Sequence, residues 1–262
     1  MVAVLWQTLL ARSLHVRLDR WEPAVLVVCV WLVYICDRLL DVTRVPRRQW
    51  EPVRKVFYRR NPKLAAAVAI CLLVFAVFGS ILLLSPRVIR GGIALSVCVL
   101  IYLASIHLAP AHWRTRWPRE LAVAAFFTAG SFLAIAVAPG VKISNVALPS
   151  LLFGLLAWAN ICAIEDYESR RNVAGVNVVV HRSTSLLSNH LTFDGLAIAM
   201  GAGILGSFAA IPREFAMTAL LSGIALALSA YFRERMPADF VPAAADLALC
   251  TPVLVLVFNA WN

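Results

Sequence analysis

Residues 64–84 read LAAAVAICLLVFAVFGSILLL, twenty-one positions without a single charge. As a helix rising 1.5 Å per residue, such a run extends about 31 Å, the thickness of the hydrocarbon core of a bilayer. Its apolar residues do not alternate with polar ones, so it does not read as a barrel strand. A segment alone in lipid must satisfy its own backbone, and only a helix does so. The same reading extends outward to 24–42, 91–109, 120–139, 146–165, 191–211, 215–232 and 240–261, with a shorter apolar stretch at 2–11. Composition agrees: 61% of the chain is hydrophobic and 15% charged, with a mean hydropathy of +0.82. That is too little charge to cover a soluble domain of this length. The expectation is an all-α, polytopic transmembrane bundle of about nine helices, the first one short. No low-complexity tract or long linker divides it, so residues 1–262 read as one domain.

The stretch 2–11 (VAVLWQTLLA) lacks a basic leading region, and Arg12, His15 and Arg17 follow it where a signal peptide would have small residues. It reads as a short first helix, or equally as an interfacial helix anchored by Trp6. The six cysteines (29, 36, 71, 98, 162 and 250) all fall in apolar stretches and form no CxxC pair. They read as buried thiols packing like small hydrophobes, with no disulfide framework and no zinc site.

A net charge of +10 is compatible with nucleic-acid binding, but its distribution points elsewhere. Loops 42–63, 110–119, 166–190 and 233–239 hold sixteen of the 24 Lys and Arg residues. The intervening loops hold four: Arg87, Arg90, Lys142 and Arg213. The positive-inside rule places the first set in the cytoplasm. The basic excess is then topology plus contact with anionic head groups, and no nucleic-acid partner is expected.

The acids are the informative residues. Asp37-Arg38-Leu39-Leu40-Asp41 closes one apolar stretch, and Glu165-Asp166-Tyr167-Glu168 closes another. Spacing of four puts Asp37 and Asp41 one above the other on a helical face. Both clusters stand at helix C-termini, where the backbone already presents negative charge. Mutual repulsion and the dipole both oppose them, so cations must offset the charge. Local arginines are one source: Arg38 and Arg44 for the first cluster, Arg170 and Arg171 for the second. Mg²⁺ is another, since it binds through one or two carboxylates and fills its remaining positions with phosphate oxygens. Arg47, Arg48, Arg54, Lys55, Arg59 and Arg60 could then form a basic wall for a diphosphate, although the positive-inside bias alone would also place them there.

A membrane helix ending in DRxxD, then a basic loop, then a second acidic helix end resembles the UbiA-type intramembrane prenyltransferase family. The family's first motif reads N-x-x-x-D-x-x-x-D. Asp37 and Asp41 fall on its aspartates, Val33 stands at its asparagine, and Tyr34 beside it offers a hydroxyl. The second motif is D-x-x-x-D, preceded by Asn and followed by a Gly-x-x-Thr-like stretch. Asn160 and His181-Arg182-Ser183-Thr184 resemble its flanks. Ala163 stands where the first aspartate belongs, with Glu165, Asp166 and Glu168 as nearby substitutes.

The resemblance implies a nine-helix bundle around a cavity open to lipid. It implies a polyprenyl diphosphate held through Mg²⁺ by Asp37, Asp41, Glu165, Asp166 and Glu168, with transfer of the isoprenoid to an acceptor. Tyr34, Arg38, Arg47, Arg48, Arg54, Lys55, Arg59, Arg60, Tyr102, Asn160, Glu168, Arg182 and Thr184 are the implied substrate contacts. Tyr102, Phe126, Phe127, Phe132, Trp158 and Phe193 are available to line the isoprenoid cavity. A terpene cyclase of the same scaffold fits the same residues. So does a non-catalytic or transport protein, although no internal repeat is visible and the prolines fall mostly at block edges. Glu120 and Asp194 read as acids capping helix starts, and Asp246, inside the last helix, is read the same way; His107 reads as a candidate cavity residue, and Trp113 and Trp117 as interface anchors.

Overall fold

Among the described residues every apolar stretch of the sequence forms helix, the last of them in two pieces, and there is no strand. The computed structural model describes residues 1–44, 53–108, 119–171, 190–236 and 240–258. Eleven helices follow in order: α1 (Val2–Ser13), α2 (Trp21–Arg44), α3 (Val53–Arg60), α4 (Pro62–Leu83), α5 (Pro86–Leu108), α6 (Arg119–Ala136), α7 (Ile143–Arg171), α8 (Leu191–Ser207), α9 (Arg213–Tyr231), α10 (Phe240–Ala248) and α11 (Pro252–Phe258). Proline opens α4, α5 and α11, where its missing N–H costs nothing. Helix α3 (VRKVFYRR) lies in the loop that the apolar pattern left unassigned. It stops before Asn61-Pro62, because a residue preceding proline is pushed out of the helical region.

Among the described residues five helices are long and apolar enough to cross a membrane: α4, α5, α6, α7 and α9. The bent pair α10–α11 makes a sixth if it counts as one span. Helix α8 is apolar but shorter, at 17 residues. The outer faces of α4 and α5 carry Phe75, Phe78, Ile81, Leu82, Ile93, Leu100 and Ile101, all exposed. The residues of α4 that are fully buried are all small (Ala65, Ala69, Ala76 and Gly79). A water-soluble protein does not expose apolar surface on this scale. The chain is an integral, multi-pass membrane protein.

Packing divides the helices into a core and a leaf. The core joins Trp6, Leu9 and Leu10 of α1 to Phe132 and Ile135 of α6, Phe153 and Leu156 of α7, Phe215 and Ala219 of α9, and Ala245 and Ala248 of α10. The leaf is smaller: Ile35 of α2, Tyr58 of α3, and Ala65 and Ala69 of α4. Helix α2 reaches the core through α1 and α6.

Four expectations need correction. Helix α1 is not an interfacial anchor, because Trp6 is wholly buried, with its ring 4.9 Å from that of Phe153 and 5.1 Å from that of Phe215. At 12 residues it is also too short to span the bilayer. The last apolar stretch is not one helix: α10 and α11 meet at 47°, because Pro252 lacks an N–H and crowds the preceding turn. The Val253 N–H turns to the Cys250 carbonyl at 3.1 Å, and Trp6 Nε1 donates at 2.9 Å to the Leu249 carbonyl left free; the hydroxyls of Ser222 and Thr251 also bond each other. Of the cysteines, Cys162 is buried as expected, but Cys71 and Cys98 face outward on the apolar surface. Finally, α7 continues to Arg171, so Glu165, Asp166 and Glu168 lie inside its last turns and do not terminate it.

Candidate functional site

Helix α2 runs three residues past Asp41, which places both of its aspartates in its last turns. Their partner comes from α6. Arg119 Nη2 donates to Asp37 Oδ1 and Oδ2, both at 3.1 Å, and to Asp41 Oδ2 at 3.0 Å. The expected local partner also takes part, since Arg38 Nη1 lies 3.6 Å from Asp41 Oδ2. The guanidinium of Arg38 sits 5.2 Å over the ring of Tyr34, which meets Tyr58 edge-on at 6.4 Å. Burial pushes the Tyr58 phenol above its ordinary value, reinforced by Tyr34 and opposed by Arg38. Arg59 Nη1 donates to the carbonyl of Val42 at 3.5 Å, tying α3 under the end of α2. Arg60 is exposed. Behind Arg119, the Tyr102 hydroxyl donates to its backbone carbonyl at 3.4 Å, and Tyr102 packs on Phe126 with centroids 5.3 Å apart.

The second acidic end is held differently. Asp166, nearly buried, accepts from Arg233 Nη1 at 3.1 Å. Two turns deeper, Asn160 Nδ2 donates to Asp246 Oδ1 at 3.2 Å. Asp246, expected as an acid near a helix start, is thus an acceptor from α10 to α7. Asn160 Oδ1 and Trp158 Nε1 are buried and have no hydrogen-bond partner among the described residues. Glu165 is half-buried.

Helix α6 links the two ends. Its first residue, Arg119, binds the acids of α2, its second, Glu120, is buried, and the helix itself packs along α7. Glu120 stands in the first turn of α6, as an acid at a helix start is expected to, and is buried there. Arg119 and Arg233 were missed in the sequence. The available signal for Arg119 was its place at the head of a membrane helix, where a cation opposes the dipole and so calls for an acid partner.

The other expected site residues divide. Arg47, Arg48, Arg182 and Thr184 lie outside the described residues, as do Trp113 and Trp117. The side chains of Arg44, Arg54, Lys55, His107, Glu168, Arg170 and Arg171 also lie outside them. Three of the expected cavity aromatics are placed otherwise. Phe132 and Phe127 pack on Phe153 in the core, where Trp6 of α1 meets the same ring. Phe193 points outward, 70% exposed.

Can the residues present hold a magnesium ion? Among the described residues no three Asp, Glu, His or Cys side chains converge into a metal-binding group. Magnesium needs only one or two carboxylates, its other positions going to water and phosphate. Asp37 and Asp41 meet that requirement, since three of their oxygens converge on a single cationic nitrogen. No protein-family model, curated protein or solved structure gives a significant match to this chain.

Proposed function

We propose that the chain is an intramembrane prenyltransferase, binding a polyprenyl diphosphate through Mg²⁺ at the end of α2 and transferring the isoprenoid to an acceptor. The observation that carries this reading is the convergence of Asp37 and Asp41, four residues apart, on one cation at the end of a membrane-embedded bundle. Bound magnesium would neutralise charge on the departing diphosphate. The chain's own contribution is the carboxylate pair that fixes the ion, with Arg38 and Arg119 beside it as diphosphate donors. Tyr102 holds the backbone of Arg119 in place, and the aromatic pair Tyr102–Phe126 lies next to the site. Asp166 and Asn160, on α7, are the proposed second anchor, and the basic loop 42–63 faces the cytoplasm.

The test is diphosphate release by purified protein in detergent, supplied with Mg²⁺ and a panel of allylic diphosphates. Asp37→Ala is expected to lower release by at least about a hundredfold, the loss typical when a group stabilising transition-state charge is removed. No release at any chain length, together with no Mg²⁺-dependent binding, would favour a non-catalytic protein whose acids serve as ion-pair partners for Arg119 and Arg233. Release with cyclic products and no acceptor would favour the cyclase.

A further inference from the structure

The contact between Arg119 and the two aspartates has an unusual form. A guanidinium ordinarily meets a carboxylate as a fork, two nitrogens on two oxygens. Here one nitrogen, Nη2, carries all three contacts, at 3.1, 3.1 and 3.0 Å. An NH₂ group has two hydrogens, so three oxygens around it share them. The oxygens are arranged as they would be around a point charge. The dipole also disfavours the position, because Arg119 is the first residue of α6 and its cation stands at the positive end of that helix. The three side chains keep 15–25% of their surface exposed, so the place is open to exchange.

We infer that Arg119 is a placeholder cation: its guanidinium holds the Asp37–Asp41 pair until a divalent ion takes that point, and then swings to the diphosphate the ion carries. This rests on the proposed function and adds an exchange step to it. Asp37 and Asp41 are then never left as a bare, stacked pair of charges in the unloaded protein. Metal alone binds poorly because it must displace Arg119, whereas metal with diphosphate binds well because the displaced guanidinium gains a new anion. The site would thus favour loading of metal and diphosphate together.

The experiment measures Mn²⁺ binding by electron paramagnetic resonance on full-length protein in nanodiscs, with and without inorganic diphosphate. Wild type should bind Mn²⁺ alone weakly and gain strongly when diphosphate is added. Arg119→Gln should bind Mn²⁺ alone about tenfold more tightly, the equivalent of one modest ion pair, and gain less from diphosphate. Adding Asp37→Asn should abolish that tighter binding. Equal Mn²⁺ affinity in wild type and Arg119→Gln, with both still responding to diphosphate, overturns the placeholder and leaves the proposed function standing. No Mn²⁺ binding in either protein, even with diphosphate, overturns both. Phenylglyoxal labelling of wild type, read at Arg119 by mass spectrometry, gives an answer that needs no variant. Labelling should rise severalfold on adding Mn²⁺ and fall again with diphosphate; labelling indifferent to saturating Mn²⁺ overturns the placeholder.

Discussion

Trp6 combines two roles that a single substitution separates. Its ring fills the centre of the core between Phe153 and Phe215, and its N–H satisfies the Leu249 carbonyl at the α10–α11 bend. Trp6→Phe keeps most of the apolar volume but leaves that carbonyl buried without a donor. The expected cost is about 1–3 kcal/mol, the penalty of an unsatisfied buried polar group, read as a lower midpoint of thermal unfolding in detergent. An unchanged midpoint would mean that water or a neighbour replaces the indole. The aspartates offer a contrast at the same scale. Asp37 and Asp41 were identifiable from their spacing, but Arg119 stands 82 residues from Asp37, and nothing local in the sequence names it as the partner.

Among the elements, α8 and α9 approach most closely. A Cβ placed on Gly223 would lie 2.7 Å from the Gly195 carbonyl oxygen, and one on Gly195 would lie 2.9 Å from that of Gly223. Both distances are backbone contacts, so a side chain has nowhere to turn. Small residues at the crossing, with Ala199 and Ala227 beside them, let two helices pack in lipid without a hydrophobic driving force. Gly223→Leu must therefore push α8 away from α9. It should lower stability by at least about 2 kcal/mol, in the range of overpacked cores, whereas Gly201→Ala, which meets open space, should be nearly silent. Expression level and unfolding midpoint of the two variants, compared side by side, check this. The small residues were visible in the sequence of these helices, but which pair of them meets was not, because several glycines lie on α8 alone.

At the scale of the whole molecule, the bundle is a core of α1, α6, α7, α8, α9 and α10 with a leaf of α2, α3 and α4. The ion contacts of Arg119 lie on the seam between them. Orientation in the membrane is a prediction from charge asymmetry. Single cysteines replacing Arg47 and Lys142, in an otherwise cysteine-free chain, should label from opposite sides of sealed vesicles with a membrane-impermeant maleimide. Arg47→Cys is expected to react from the cytoplasmic side and Lys142→Cys from the other. The reverse pattern would move the candidate site to the external face.

The sequence by itself determined that the chain is all-helical and lives in a bilayer. Length and unbroken apolarity are local properties, and lipid permits a lone segment no other backbone arrangement. It also marked both acidic helix ends, since a carboxylate near membrane depth is costly enough to stand out. Tertiary structure decided the rest. It buried α1 in the core instead of laying it on the surface, bent the last helix at Pro252, and turned Phe193 outward while Phe132 went in. These outcomes depend on which faces meet, and in a membrane every face is apolar, so the usual inside–outside pattern carries little information. It also gave Asp37 and Asp41 to Arg119, and Asp166 to Arg233. Charge at low dielectric must find an opposite charge wherever the fold brings one close, and that closeness belongs to the bundle, not to the chain order.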